Sequence, residues 1–194
     1  MSQVSVVPIL LWVAALACAG IAIWREPRPL PRGFAIDRLL RYLFLFPLGI
    51  QGLWAFLGHV FFPARSAESI GWATSPFQYE VGVANLGLGL AAIYAAFRGF
   101  EARLAVAIAA ASFLIGAGIG HLRDIATTGN LAPGNAGPIM VTDFLTPIAV
   151  LGLLYFASEK WKPKSAATLA LEAELENARK AMREYRQALR EFGK

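Results

Sequence analysis

The sequence predicts an all-α integral membrane protein: a bundle of five spans followed by an amphipathic helical tail. Three observations carry that prediction. Apolar residues make up 57% of the 194-residue chain, above the roughly 45–50% of soluble domains. The excess is gathered into five runs of the length, about 20 residues, that crosses about 30 Å of hydrocarbon. When those runs are taken as spans, sixteen of the eighteen basic residues fall on one side, and only Arg65 and Arg123 fall on the other. From Ser165 onward the composition changes to Ala, Glu, Arg and Leu, with a regular apolar repeat.

Taken in order, span one is predicted over 6–24. No Lys or Arg precedes Val4, so the basic lead-in of a signal peptide is missing and the segment is taken as a retained span. The connection from Arg25 to Gly33 holds Pro27, Pro29 and Pro31 and excludes a helix. Span two covers 39–62 and ends at Pro63. Span three covers 79–97, span four 104–120 and span five 139–156. The short turn from Arg98 to Arg103 makes spans three and four a helical hairpin. The connection Ala64–Gln78 carries Trp72 and Phe77, followed by Tyr79, aromatic residues suited to a bilayer surface. The loop from Asp124 to Gly137 is rich in Gly, Asn, Thr and Pro, and Pro138 suits a first helical turn.

Charge then orients the bundle. The first connection carries five basic residues, the third two, and the tail nine, against one in each of the other two connections. The excess marks the cytoplasmic side, so the N-terminus is expected outside and the C-terminus inside, in a bacterial inner membrane. An odd number of spans is required. The expected division is a membrane unit over 1–157 and a cytoplasmic tail over 158–194. The basic residues flank spans, which argues against nucleic acid as a partner despite the net charge of +5. The lone Cys18 permits no intrachain disulfide and no cysteine zinc site.

In the tail, Thr168, Leu171, Leu175, Ala178, Met182, Tyr185, Leu189 and Phe192 follow one another at alternating steps of three and four. That is a coiled-coil seam over about three heptads. Glu and Arg occupy the remaining faces. A seam of this kind calls for a covering surface, and a homo-oligomer or a partner helix is preferred to lipid because the polar faces carry both charge signs. Within the spans, Gly116 and Gly120 form a GxxxG pair, and Gly82, Gly87 and Gly89 recur in span three, as close helix packing in lipid requires.

The basic-poor face gathers a second pattern. His59, Glu80, His121, Asp124 and Asp143 all fall at or just beneath it. Imidazoles and carboxylates together are candidate ligands for a divalent metal at the outer face, and a histidine in a span can also hold a haem. The same groups can be proton carriers, or simply a polar cluster near water in which His121 pairs with Asp124 three residues on. Gln51, Gln78 and Asn85 are candidates for a polar track leading inward. The loop containing Trp72 either folds back over the histidines or forms an ordinary interface turn.

The run from His59 to Pro63, the segment Ile70-Gly71-Trp72, and the run from Ser75 to Leu86 together resemble the signature of a family of small bacterial membrane proteins known only as a domain of unknown function. The pair Gly120-His121 fits the same pattern. The resemblance covers 39–157, leaves out the tail, and implies a multi-span inner-membrane protein without implying an activity. Three functions follow as expectations: an assembly or scaffold subunit acting through its glycine-rich spans and its tail, a metal- or cofactor-bearing protein acting through the outer cluster, and a small transporter. No nucleophile elbow or phosphate loop points to a particular enzyme.

Overall fold

Glycine and proline set most of the helix boundaries. In a computed structural model that describes residues 3–31, 33–158 and 166–192, α1 covers Gln3–Arg25 and α2 covers Phe34–Leu43. A π-helical segment, Phe44–Ile50, joins α2 to α3 (Gln51–Phe61) without a break. Pro47 lies inside that segment. Its ring lacks an N–H and crowds the preceding turn, and the wider π turn relieves both. Then come α4 (Pro63–Ile70), α5 (Phe77–Ala96), α6 (Phe100–Thr128), α7 (Pro138–Ala157) and α8 (Ala166–Phe192). No strand occurs among the described residues.

Five helical stretches are long and apolar enough to cross a membrane: Val6–Arg25, Phe34–Phe61, Phe77–Ala96, Phe100–Thr128 and Pro138–Ala157. All five predicted spans are therefore present, and two boundaries change materially. The second stretch starts at Phe34, directly after Gly33 in the left-handed region at φ 75°. The fourth continues to Thr128 and stops at Gly129, also left-handed at φ 71°. At 1.5 Å per residue a helix of this length measures about 43 Å, longer than the hydrocarbon. Its last two turns carry His121, Arg123 and Asp124, where a loop was expected from Asp124 onward. The connection after span two likewise contains a helix, α4, with Pro63 in its first turn and Gly71 at φ 81° ending it.

The membrane unit, Met1–Lys160, forms one compact body. Its apolar core lies toward the Arg-rich end, where Ala15, Leu40, Leu43, Phe44, Ala92, Ala95, Ala107, Val150 and Leu154 pack together. Phe44 is fully enclosed. Helix approach is closest where α3 and the π segment cross α5. A Cβ on Gly52 would stand 2.8 Å from Gly89 Cα, and one on Gly89 would stand 2.9 Å from Gly49 O. The GxxxG pair behaves differently from expectation. Added Cβ atoms on Gly116 and Gly120 meet nothing within 4 Å, so that stripe faces away from the bundle. On the same helix it is Gly118 that packs: a Cβ added there would stand 2.7 Å from the Phe144 ring.

At the Arg-rich end, Arg103 is buried and joins three elements. Its Nε donates to Ala95 O at 3.2 Å, Nη2 to Ala96 O at 2.9 Å, and Nη1 to Asp37 Oδ1 at 2.9 Å. The guanidinium thus satisfies carbonyls at the open C-terminal end of α5 and ties that end to α2. The sequence places Arg103 in a turn; the structure places it inside α6. Midway along the bundle, Trp12 Nε1 donates to Thr146 Oγ1 at 3.1 Å, joining α1 to α7.

The second unit, Trp161–Lys194, contains α8. Leu171, Leu175, Met182 and Tyr185 are all exposed on it, as is Ala178. The side chain of Leu189 lies outside the described residues.

Candidate functional site

The histidine-bearing end of the bundle is organised by polar groups where the opposite end uses an apolar core. The extension of α6 brings Asp124 beside the segment that follows α4. Asp124 Oδ2 accepts from Trp72 Nε1 at 2.9 Å and from Asn130 Nδ2 at 2.7 Å. Asn130 Nδ2 also donates to Ile70 O at 2.8 Å, and its Oδ1 accepts from Ala132 N at 3.0 Å. Gly134 N donates to Ser69 O at 2.9 Å. The two loops at this end are thereby laced to each other and to α6. Two glycines make the approach possible: a Cβ on Gly134 would stand 2.6 Å from Ser69 O, and one on Gly71 would stand 2.7 Å from Asn130 Oδ1.

Beneath this lacing lies His121, which is only 7% exposed. Its Nδ1 is 2.7 Å from Asn135 Oδ1. Asn135 is fully buried, and its Nδ2 donates to Asn130 O at 2.8 Å. That assignment turns the amide oxygen toward the imidazole, so His121 Nδ1–H is the donor. The other ring nitrogen, Nε2, stands 3.9 Å from Oδ2 of the buried Asp143 on α7. The indole of Trp72 stacks on the imidazole, with ring centroids 5.7 Å apart and planes inclined by 23°. The loop carrying Trp72 therefore covers His121, the first of the two readings its sequence allows.

The candidates at this end separate into four groups. His121 meets Asp143. Asp124, which the sequence allowed to pair with His121, instead accepts from Trp72 and Asn130. His59 Nδ1 bonds the buried Gln78 Oε1 across α3 and α5. Glu80 is exposed in the first turn of α5. Among the described residues, no three His, Cys, Asp or Glu side chains stand close enough to share a metal ion.

The polar-track candidates also go separate ways. Gln78 is engaged by His59, and Asn85 Nδ2 donates to Val81 O of its own helix at 2.9 Å. Gln51 Oε1 is buried with no hydrogen-bond partner. The residues that do organise the end, Asn130 and Asn135, lie in the loop after α6. Their signal in the sequence was two amide side chains in a loop built, apart from Leu131, from small residues and proline.

A second candidate surface lies on α8. Leu171 is 59% exposed, Leu175 46%, Met182 60% and Tyr185 66%. With Ala178 they form one continuous stripe, since steps of three and four return to the same helix face. On the polar side, Arg183 Nη2 pairs with Glu176 Oε1 at 3.1 Å.

No curated protein and no solved structure matches this chain. A family profile matches residues 5–163. The match takes in α1, which the resemblance left out, and ends before α8 begins. The chain therefore belongs to the family of unknown function DUF6790.

Proposed function

We propose that this protein is an assembly subunit of the bacterial inner membrane, anchored by five spans and self-associating through its C-terminal helix. In this reading the N-terminus is periplasmic and the C-terminus cytoplasmic, as the distribution of sixteen basic residues against two supports.

The observation that carries the reading is the exposed stripe on α8. An isolated helix is marginal in water, and most helix stability in proteins comes from burying an apolar face. Enclosing a Leu, Met or comparable side chain is worth about 1.5–3 kcal/mol, so four exposed large side chains on one stripe are a substantial unused binding free energy. The polar faces hold Glu174, Glu176 and Glu184 beside Arg179, Lys180, Arg183 and Arg186. A helix lying on anionic lipid is mainly basic on that side; this mixed pattern is the one that flanks coiled-coil seams.

The test is the mass of the purified full-length protein in detergent, wild type beside Leu175→Asp/Met182→Asp. The reading expects an oligomer that dissociates in the double variant. An unchanged mass, or a monomeric wild type at all concentrations, overturns it.

One observation favours a second reading, a metal- or cofactor-bearing outer site. His121 Nε2 and Asp143 Oδ2 are 3.9 Å apart and both buried. Metal–ligand bonds of about 2.0–2.2 Å let a single ion touch both atoms. Two protein donors leave the remaining positions to water or a bound ligand. Elemental analysis of the gently purified protein beside His121→Ala/Asp143→Asn tests it. Stoichiometric metal lost in the variant supports the reading, and equal metal content in both sinks it.

A further inference from the structure

We propose that the surface covering the α8 stripe is the α8 helix of a second copy, running parallel and in register, with Glu174 of each copy paired to Arg179 of the other. This rests on the assembly reading above and specifies its partner, direction and register.

The stripe assigns the heptad positions. Leu175 and Met182 occupy one core position, and Leu171, Ala178 and Tyr185 the other. Glu174 immediately precedes Leu175 and Arg179 immediately follows Ala178, so the two flank the seam on opposite sides. In a parallel, in-register pair, the residue before a core position of one helix faces the residue five places further on in its partner. Glu174 and Arg179 are separated by five. Two-fold symmetry then forms the pair twice, once on each side of the seam.

The antiparallel alternative pairs like flanks with like. With the two stripes fully overlapped, Arg179 of one copy then lies beside Arg179 of the other, while Glu172 lies beside Arg186 on either side of that contact, so the flanking charges alone do not choose the direction and the shared membrane face decides it. The remaining charges are compatible with the parallel pair. Glu176 and Arg183 lie off the seam and bond each other. Glu174 and Arg179 are exposed and have no ion-pair partner among the described side chains.

The membrane supplies the deciding argument. Copies with a common topology release their tails from the same face. Both α8 helices then start from the same plane, and the anchor raises the effective concentration of one tail for the other. Parallel alignment follows without extra chain.

The test uses the full-length protein in detergent. In a Cys18→Ser background, Ala178→Cys is oxidised with copper phenanthroline. A parallel, in-register pair sets the two introduced thiols in the same core layer and gives a cross-linked dimer. An antiparallel pair sets position 178 against 182, so cross-linking only between separately prepared Ala178→Cys and Met182→Cys copies overturns the proposal. Dimer mass without cross-linking in either arrangement also overturns it while leaving assembly intact. A monomeric protein overturns both.

Charge reversal tests the register independently. Glu174→Lys or Arg179→Glu alone should weaken association about three- to tenfold, the scale of a few exposed charge pairs. Glu174→Lys/Arg179→Glu together should restore it. Equal affinity in all four proteins removes the assigned pair.

Discussion

Trp72 and His121 come from segments separated by 49 positions in the sequence, yet the indole lies stacked on the imidazole with centroids 5.7 Å apart. The stack is held from the side: Trp72 Nε1 donates to Asp124, one helical turn beyond His121 on α6. A single side chain therefore closes the bundle end and anchors the loop after α4.

That arrangement separates two contributions of the indole. Trp72→Phe retains an aromatic face over His121 and loses the N–H bond to Asp124; Trp72→Ala loses both. An aromatic pair contributes about 0.5–1.5 kcal/mol beyond its buried area. Thermal unfolding in detergent should rank wild type above Trp72→Phe above Trp72→Ala. Limited proteolysis should cut the segment 71–76 of Trp72→Ala fastest. Equal cleavage of all three proteins would show that the stack does not hold the loop.

Asn135 is the enclosed acceptor for His121 Nδ1–H. Replacing it by Leu leaves that N–H, and the Asn130 carbonyl it also serves, without partners. An unmade buried hydrogen bond costs about 1–3 kcal/mol. Asn135→Leu should therefore lower the unfolding midpoint, and Asn135→Asp, which keeps an acceptor toward the ring, should lower it less. The reverse ranking would contradict the assigned amide orientation.

Arg103 makes a different kind of prediction at the opposite end. Its guanidinium is bound by two carbonyls and by Asp37, whose side chain is 30% exposed. Removing one partner of a buried ion pair costs about 3–5 kcal/mol when the other charge is left buried. Because Asp37 reaches solvent, Arg103→Ala should fall at or below the lower end of that range, chiefly through the uncapped carbonyls of α5. Asp37→Asn should cost less still. Arg103→Lys should recover only part of the loss, since an ammonium cannot reproduce the planar fork. Denaturation in detergent measures all three, and full recovery by Lys would refute the geometric argument.

The glycines divide into two populations. Gly52→Ala and Gly89→Ala drive a methyl into backbone that cannot yield, and overpacking of this kind costs about 1–3 kcal/mol. Gly116→Ala and Gly120→Ala place theirs in open space and should leave unfolding unchanged, or raise stability slightly through helix propensity. Equal destabilisation by all four substitutions would mean that Gly116 and Gly120 are packed in the assembled protein.

The sequence alone determined the number of spans, their approximate positions and the asymmetry of charge. Each rests on a property summed over many residues: about 20 apolar side chains must line up to cross the hydrocarbon, and no single contact can reverse that sum. The α8 stripe was legible for the same reason, since a period of three and four repeated across the tail exposes one face whatever lies nearby. Tertiary structure decided everything that depended on one atom meeting another. Hydropathy ended span four at Gly120 because polar residues follow, yet α6 runs on to Thr128, since a helix leaving the bilayer keeps its backbone bonds wherever water or a neighbouring loop satisfies its side chains. Once it did, Asp124 turned to Trp72 and Asn130, and His121 was left to Asn135 and Asp143. Spacing put His121 and Asp124 on one helix face, but only the loops folding back from two distant parts of the chain could choose their partners. Likewise GxxxG spacing at Gly116 marked a face on which helices can approach, while the crossing of α3 and α5, which no local pattern encodes, set the close contact at Gly52 and Gly89.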